Sequence, residues 1–448
     1  MGGLTVLIGP NHAGKTSFLL PLLALKQTLD SPDPRVALKL TGDYADLGSY
    51  RDLVYMGTKN LEVAFGLRFA YHGQASDDVK KVGDEHPGIL TVSYKQGAQG
   101  QASIDTYALD DCYGRTFIRR SRLKDGQHFG LAGAPVSGAH RPSEAHNPGD
   151  RAARKAVESE QPVHFLFTGE SAGRAGLGVD RQLHENHGDE DSSLPEHGPS
   201  DPVRYYMRAT AFTSTQIHGL LQHLQFIGPI RSKPQRIYQL SDELPLDVGV
   251  QGELAPELLY RASEEIQQEI QRTLKRFGLS VAPDFQVYDR DDRAFSLLLR
   301  DHHGHSVNFA DAGFGYSQLL PLLIQLAAVQ PDEHLLIEQP EIHLNPALQG
   351  TFADIAMEQV AEGANVTVET HSDHVLLRIR RRIAEGTFDP ALLNLYYFEP
   401  EAGESIIRKV DVDARGRISE DQWPAGFFAD DVEDSVALAR ASLRDQDD

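Results

Sequence analysis

The sequence predicts an α/β fold with a parallel-sheet lobe, an antiparallel β subdomain and a helical lobe. The first indication is the run LTVLI, Leu4–Ile8, whose continuous apolar character is typical of a parallel strand covered on both faces. An apolar helical stretch follows from Thr16, and a later apolar strand, LLIE, ends at Glu338. Between about residues 61 and 126, apolar and polar residues alternate between Gly and Asp breaks, which predicts antiparallel strands.

Composition indicates a packed, cytoplasmic protein without membrane contact. Of 448 residues 40% are hydrophobic, which is ordinary for one or two globular domains. The net charge of -22 argues against a surface that wraps nucleic acid non-specifically, because phosphate contacts rely on clustered Lys and Arg. Cys112 is the only cysteine, so no intramolecular disulfide is expected. The sequence has neither a long apolar run nor a signal-peptide pattern.

The middle of the chain is predicted to contain an insertion, a hairpin and a surface helix. Residues 127–203 are rich in Gly, Pro, Ser, His and acidic residues and are predicted to be a flexible insertion, with one strand in VHFLFTG. The stretch AFSLLLRDHHGHSVNF predicts a hairpin with Asp301–His305 in its turn. Helical spacing of apolar residues predicts one surface helix that contains Leu258, Leu259, Ile266, Ile270 and Leu274.

A phosphate-binding loop is predicted at residues 9–17. The stretch LIGPNHAGKTS matches GxxxxGK[ST], with the strand before it and the helix after it that the motif requires. Gly9 and Gly14 permit tight turns that aim backbone amides at phosphates. Lys15 would neutralise the terminal phosphates, and the Thr16 hydroxyl would bind Mg²⁺. The expected nucleotide-binding residues are Gly9, Pro10, Asn11, His12, Ala13, Gly14, Lys15, Thr16 and Ser17.

Three later motifs follow in order. They are DAGFGYSQLLPLLIQLAAV at residues 311–329, LLIEQPE at residues 335–341 and NVTVETHSDHVLLRI at residues 365–379. Together with GDYADLGSYRDLVY and FIGPIRSKPQRIY, this order resembles the ABC-type ATPase superfamily. It is similar above all to the soluble predicted AAA ATPases related to the OLD, SMC and RecF proteins, in the branch with EQPE and a C-terminal domain of unknown function. The resemblance covers most of the chain except the insertion.

The resemblance implies two subunits that sandwich ATP. The phosphate loop of one subunit would face the Gly-rich signature turn of the other. Glu338 would bind Mg²⁺ together with Thr16, Gln339 takes the position of the general base, and His371 takes that of the histidine that touches the γ-phosphate. The expected catalytic residues are Lys15, Gln339, Glu341 and His371. The expected nucleotide contacts of the signature turn are Gly313, Gly315, Ser317 and Gln318.

Gln339 is the main departure from the family pattern. A carboxylate can accept a proton from an attacking water, whereas a neutral amide can only orient it. We therefore expect slow hydrolysis in a protein that acts as an ATP-held clamp or switch. Ordinary turnover with Glu341 as the substitute base is the open alternative. Two other departures are the position of the loop almost at Met1, where family strands are missing or encoded upstream, and the lack of a clear glutamine in GDYADLGSYRDLVY.

The motifs also suggest domain limits and partners. The limits are 1–126 for the N-terminal ATPase lobe, 127–203 for the insertion, 204–330 for a helical lobe ending in the signature turn, 331–395 for the rest of the ATPase lobe and 396–448 for a C-terminal extension. Little chain follows His371, so we expect an ATPase subunit of a prokaryotic anti-phage or plasmid defence system with a separate effector such as a nuclease. A RecF-like DNA-binding repair ATPase and a non-hydrolysing ATP-bound scaffold are the alternatives.

Two basic stretches are candidate contacts for nucleic acid or an acidic partner. RIRRRIAEG places Arg378, Arg381 and Arg382 on a predicted helix, and GPIRSKPQR contains three further basic residues. A solvated helix face, or salt bridges to the acidic remainder of the chain, explains the first stretch equally well. The three residues of the second stretch are Arg231, Lys233 and Arg236.

Overall fold

A computed structural model divides the chain into two compact units. The first comprises Met1–Leu19 and His223–Asp448, and the second comprises Leu20–Gln222. The structure describes residues 2–54, 60–67, 88–110, 116–124, 128–132, 160–167, 201–277, 281–288, 293–301, 303–401 and 403–419. Most of the predicted insertion and the last part of the predicted extension lie outside these ranges. The domain limits drawn from the sequence stay predictions.

Strands and helices are numbered along the described chain. The strands are β1 Leu4–Ile8, β2 Asn60–Leu67, β3 Gly88–Gln96, β4 Ala102–Asp110, β5 Thr116–Arg122, β6 Phe129–Ala132, β7 Leu224–Ile227, β8 Tyr238–Gln239, β9 Val281–Val287, β10 Ala294–Asp301, β11 Ser306–Asn308, β12 His334–Glu338, β13 Asn365–Glu369, β14 Leu393–Glu401 and β15 Glu404–Val410. The helices are α1 Lys15–Leu29, α2 Tyr50–Leu53, α3 Asp201–Gln222, α4 Ala255–Arg261, α5 Glu264–Arg276, α6 Phe314–Ala328, α7 Pro346–Ala361 and α8 Asp373–Ala384, with 3-10 turns at Phe309–Asp311 and Pro390–Leu392. None of these helices combines the length and apolar character needed to cross a membrane.

A mostly parallel sheet forms the centre of the first unit and confirms the predicted α/β fold. Over the described residues its six strands have the order β15-β14-β1-β13-β12-β7. Every neighbouring pair is parallel except β14 with β15. All five residues of β1 are buried, as the continuous apolar run predicted. Because carboxyl ends of parallel strands share one edge, the residues that follow β1, β7, β12 and β13 meet there.

Helices α6, α7 and α8 contribute to the apolar core of the same unit. Asn345 caps α7 by accepting a hydrogen bond from the Leu348 amide at 3.1 Å, and Pro346 occupies the first turn. Ser372 caps α8 by accepting from the Val375 amide at 3.1 Å. Phe352 of α7, with only 1% of its surface exposed, packs in this core. The caps therefore begin two core helices directly after the loops that follow β12 and β13.

The second unit contains the predicted antiparallel strands. Strands β2 to β6 pair with their neighbours in chain order. Arg120 and Glu160 form a buried ion pair at 2.9 Å in this unit. The strand predicted in VHFLFTG is wrong over its described residues, because Val163 and Leu166 close a tight turn by pairing with each other. The apolar character of this stretch reflects the burial of Phe165 and Phe167 rather than an extended pairing.

Two further local predictions have different outcomes. The hairpin is confirmed, since β10 and β11 are antiparallel and the Asp301 carboxylate accepts hydrogen bonds from the amides of His303 and His305. The single surface helix is wrong, because the chain breaks between α4 and α5. Ala262 is extended, and Ser263 caps α5 by accepting from the Ile266 amide. The sequence carried this signal as a Ser followed by two Glu residues, which is typical of a helix start.

Phe352→Ala is expected to lower the free energy of unfolding by about 3–5 kcal/mol, because it leaves a cavity in the core. Chemical denaturation followed by circular dichroism measures this change. Glu358→Ala on the same helix is the matched control, since it removes a solvent-exposed ion pair with Arg276 and should cost about 1 kcal/mol or less. Equal losses in the two variants would contradict the assignment of Phe352 to a tightly packed core.

Candidate active site

The predicted phosphate loop connects β1 to α1. Gly9 has φ of 147° and Gly14 has φ of 87°, conformations that side chains rarely adopt. A Cβ added at Gly9 would lie 2.4 Å from the carbonyl oxygen of Phe398, so only glycine fits there. Ala13 is buried, and its amide donates to the carbonyl of Pro10 at 3.3 Å. The first turn of α1 contains no acidic residue, which leaves the positive end of the helix open to an anion.

Lys15 is folded back into this loop. Its side chain is buried, and Nζ donates to the carbonyl oxygens of Gly9 at 3.0 Å and Pro10 at 2.9 Å. Burial lowers the pKa of Lys15, while the charges of Glu369 and Glu341 act in the opposite direction. The ammonium group is therefore placed inside the loop, where a phosphate would replace the two carbonyls as its partner.

Two buried carboxylates end neighbouring strands beside the loop. Glu338 closes β12 and Glu369 closes β13, and the two residues are paired in register. Thr16 Oγ1 donates to both carboxylate oxygens of Glu369, at 2.9 and 3.0 Å. Burial and the charge of Glu369 raise the pKa of Glu338 to about 7, and burial raises the pKa of Glu369. Oxygen ligands at this position suit a hard cation such as Mg²⁺.

Glu369 is the functional candidate that sequence reasoning missed. It lies two residues before His371, at the end of a VTVE run that resembles the LLIE run ending at Glu338. Only the strand register shows that these ends are neighbours. Among the described residues, no group of three or more His, Cys, Asp and Glu side chains is placed to hold a metal. A bound Mg²⁺ would therefore need the Thr16 hydroxyl and phosphate oxygens in addition to the two carboxylates.

The turn after β12 contains Gln339 and Glu341, two of the predicted catalytic residues. Gln339 adopts a left-handed φ of 46°, and its amide donates to the Glu369 carbonyl at 2.7 Å. Glu341 accepts a hydrogen bond from Thr370 Oγ1 at 2.7 Å and another from the His371 amide at 2.8 Å. Burial, followed by the charge of Lys15, lowers the pKa of His371, and the charge of Glu341 acts in the opposite direction. Glu341 thus holds the loop that carries His371.

The signature turn divides into an outer and an inner part. Gly313 precedes α6 with φ of 93°, and both it and Gly315 are exposed, with open space where a Cβ would lie. Ser317 and Gln318 are buried, and Gln318 Nε2 lies 3.3 Å from Ser317 Oγ. The two glycines are available to a second molecule, whereas the two polar side chains lie within the first unit. Contact of all four residues with a nucleotide stays a prediction.

The arginines of α8 are paired with acidic residues. Arg378 and Arg382 contact Asp354 at 2.6 and 2.7 Å, and Arg381 contacts Glu385 at 2.6 Å. Salt bridges within the protein therefore account for this basic run, and a contact with nucleic acid through it stays a prediction. In the second basic stretch, an exposed pair joins Arg236 to Asp311 and Lys233 is exposed, but Arg231 is buried.

Comparisons with known proteins find two family matches in the chain. Residues 221–377 match the family described as "AAA domain, putative AbiEii toxin, Type IV TA system", and residues 389–438 match "Protein of unknown function (DUF3696)". These matches confirm the predicted AAA ATPase domain and the C-terminal segment of unknown function. No curated protein matches the chain.

Solved structures with a similar chain course include heads of SMC proteins. An SMC head domain from Thermotoga maritima is 12% identical, with 92% of this chain and 91% of that chain covered at a TM-score of 0.33. An Smc head with an extended coiled coil, bound to the C-terminal domain of ScpA and derived from Pyrococcus furiosus, is 12% identical, with 92% and 90% covered at 0.37. An Smc head with a coiled coil and joint from Pyrococcus yayanosii is 12% identical, with 93% of each chain covered at 0.38.

Glu338→Gln is expected to stabilise the nucleotide-free protein at about pH 8 and to change little at about pH 5. The pKa of folded Glu338, about 7, lies above the ordinary value of 4.5, so the folded protein holds this proton more tightly than the unfolded chain. The stability that this proton contributes is complete below the unfolded pKa and is lost as the pH rises through about 7. Glutamine does not ionise, so the variant avoids this loss.

Melting temperatures measured in EDTA at the two pH values test this expectation. Glu358→Gln is the control, because Glu358 is exposed on α7. If the melting temperature of Glu338→Gln differed from that of the wild type equally at both pH values, ionisation of Glu338 would not be the cause.

Proposed function

We propose that this chain, whose residues 221–377 match an AAA ATPase domain, is an ATP-dependent switch that closes as a dimer around bound nucleotide and hydrolyses it slowly. One observation carries the proposal. The phosphate loop, the Thr16 hydroxyl and the carboxylates of two adjacent strands converge at one edge of the sheet, with Thr16 Oγ1 2.9 Å from Glu369. A loop for phosphates beside ligands for a hard cation is the arrangement that binds Mg²⁺ and a nucleoside triphosphate.

Each residue of the loop has a distinct task in binding. Gly9 and Gly14 let the backbone turn closely enough for its amides to face the phosphates, and the N-terminus of α1 adds a positive field. Lys15 already lies in the loop and would exchange two carbonyl partners for a phosphate oxygen. Thr16, Glu338 and Glu369 would hold Mg²⁺, which neutralises phosphate charge when bound.

Slow hydrolysis follows from the residues in the positions of the base. Gln339 has no carboxylate, so it can orient a water but cannot take its proton. Both oxygens of Glu341 accept hydrogen bonds from the Thr370–His371 segment, which makes Glu341 an anchor for that loop rather than a free base. The same arrangement favours a second candidate function, a scaffold in which ATP binds without turnover.

Dimerisation is proposed from the exposed signature turn. Gly313 and Gly315 leave open space at the start of α6, and the first turn of that helix has no acidic residue. A phosphate presented by a second copy could therefore approach the amides of this turn without a steric or an electrostatic barrier. Closure of two copies would bury both nucleotides, so ATP would act as the link between them.

We also propose that the switch is the ATPase subunit of a prokaryotic defence system against phage or plasmids, with an effector such as a nuclease in a separate protein. The family description of residues 221–377 names a toxin of a type IV TA system, which supports a defence role. The ion pairs of Arg378, Arg381 and Arg382 would have to break before this helix could bind nucleic acid. A nucleic-acid contact at α8 is therefore no part of the proposed switch and stays a prediction.

Wild type is expected to dimerise with Mg²⁺ and ATP and to release phosphate slowly. Lys15→Ala should do neither, because the phosphate loop loses the ammonium group that would neutralise the phosphates. Light scattering measures the size, and a phosphate-release assay measures turnover. Lys409→Ala, a change of an exposed lysine on β15, is the control and should behave as wild type. Wild type that stays monomeric with ATP would contradict the switch.

Gln339→Glu is expected to raise ATP turnover by about a hundredfold or more, because a positioned general base contributes roughly 10²–10⁴ in rate. The same phosphate-release assay measures it, with Gln339→Asn as the matched control that adds no base. Glu341→Gln separates the alternatives in the wild-type background. It should leave most of the slow turnover if Glu341 is an anchor, since the glutamine oxygen can still accept one of the two hydrogen bonds. Complete loss of turnover with the ATP-dependent dimer retained would indicate that Glu341 is the base.

A further inference from the structure

Arg231 is a buried cation with unsatisfied hydrogen-bond donors. Only 4% of its surface is exposed, and neither Nε nor Nη2 has a hydrogen-bond partner among the described residues. Nη1 makes one long hydrogen bond, 3.4 Å, to the carbonyl oxygen of Pro229. An arginine side chain buried without a partner destabilises a folded protein, because its charge is removed from water without compensation. The two unsatisfied nitrogens therefore make Arg231 a candidate ligand for an anion.

The position of Arg231 relates it to the candidate active site. β7 lies beside β12, with Ile227 opposite Ile337, so the chain leaves β7 at the edge where Glu338 ends β12. Arg231 follows the end of β7 by four residues. Burial lowers the pKa of Arg231 to about 10, and Glu341 is the charge that acts against this shift. Glu341 acts in the same way on the pKa of Lys15 and of His371. The guanidinium and the phosphate-loop lysine therefore lie in the field of one carboxylate.

Backbone hydrogen bonds hold the segment that carries Arg231. The Gly228 amide donates to the Val250 carbonyl and the Ser232 amide to the Gln251 carbonyl, both at 2.8 Å. Gly252, which follows Gln251, lies close to Pro321 and to Arg231. A Cβ at Gly252 would lie 2.4 Å from Pro321 Cβ and 3.9 Å from Arg231 Cγ. Pro321 belongs to α6, the helix that begins at the signature turn. Arg231 thus lies beside the Gly252 segment, which packs against that helix.

We propose that Arg231 binds the terminal phosphate of the nucleotide held by the phosphate loop of the same protomer. This inference rests on the proposed ATP binding and names a further residue of that site. Nε and Nη2 form one side of a planar fork, which matches two oxygens of a phosphate. ADP has no group at that position, so Arg231 would distinguish the triphosphate from the diphosphate. Arg231 packs beside Gly252, which contacts Pro321 of α6. A hydrogen bond from Arg231 to the terminal phosphate would therefore link the bound triphosphate to the helix that begins at the signature turn.

The test compares ATPγS with ADP as ligands, using isothermal titration calorimetry on wild type and Arg231→Met. Methionine keeps much of the length of the side chain and removes its charge. We expect ATPγS affinity to fall by about 10- to 100-fold, as for loss of charge-assisted hydrogen bonds, and ADP affinity to stay within about twofold. The melting temperature of the nucleotide-free variant should equal or exceed that of wild type, because an unpaired buried charge is gone.

Control variants keep the result specific to Arg231. Lys233→Met, two residues along on the same segment but exposed, should bind both nucleotides as wild type does. Lys15→Ala should lose both nucleotides, which shows that the assay reports the phosphate loop.

Several outcomes would overturn the proposal. Equal losses of ATPγS and ADP together with a lower melting temperature would make Arg231 a structural residue. Unchanged ATPγS affinity with loss of the ATP-dependent dimer would identify the anion as a carboxylate of the second copy. If Arg231→Met bound ATPγS as tightly as wild type did, Arg231 would not contact the terminal phosphate. The proposed ATP binding would still hold, provided that wild type also bound ADP. If wild type bound neither nucleotide, both proposals would fail.

Discussion

The parallel register of β1, β13 and β12 is the constraint on which the rest of the site depends. Leu7 lies opposite Glu369, and Glu369 lies opposite Glu338. The start of the phosphate loop and the two carboxylates therefore lie side by side at the carboxyl-terminal edge of the sheet. The hydrogen bonds from Thr16 to Glu369 join the loop to the neighbouring strand across this edge. A shift of one residue along either strand would turn these carboxylates to the opposite face of the sheet. The register that forms the sheet is therefore also the register that forms the candidate site.

The site gathers charges that are costly without a ligand. Glu338 and Glu369 are like charges side by side, Lys15 is partnered by carbonyl oxygens of its own loop, and two nitrogens of Arg231 have no hydrogen-bond partner in the described part of the chain. Each of these groups would gain a partner of opposite charge if Mg²⁺ and a triphosphate bound. Such strain is common at functional sites, where stability is lower than the fold would allow. Binding would then stabilise the folded state by mass action.

The geometry around Gln339 fits a slow ATPase as well as an inactive one. Both carboxylate oxygens of Glu341 accept hydrogen bonds from the Thr370–His371 segment, which supports the proposed role of Glu341 as an anchor of that segment. A switch that must persist after ATP binds needs slow chemistry more than fast turnover. Under the proposed function, slow hydrolysis would keep the ATP-bound dimer closed for longer.

The sequence by itself determined those features that depend on local chemistry. The phosphate loop, the buried strand before it, the antiparallel strands and the hairpin at Asp301–His305 follow from residue spacing and turn residues that act over short distances. The order of the motifs was also enough to identify the ATPase domain. The break at Ser263 was visible as a helix-start signal but was outweighed by the apolar spacing on both sides of it.

Only the tertiary structure decided which distant residues meet. Glu369 could not be recognised from the chain, because its role comes from strand pairing with Glu338, and hydrogen bonding to Thr16, across long separations in sequence. The sequence left nucleic-acid contact and salt bridges as alternatives for the arginines of α8, and the fold placed Asp354 and Glu385 beside them. It gave Arg231 as a candidate contact, and the fold buried it. Burial and pairing are properties of the packed chain, and one segment alone does not contain them.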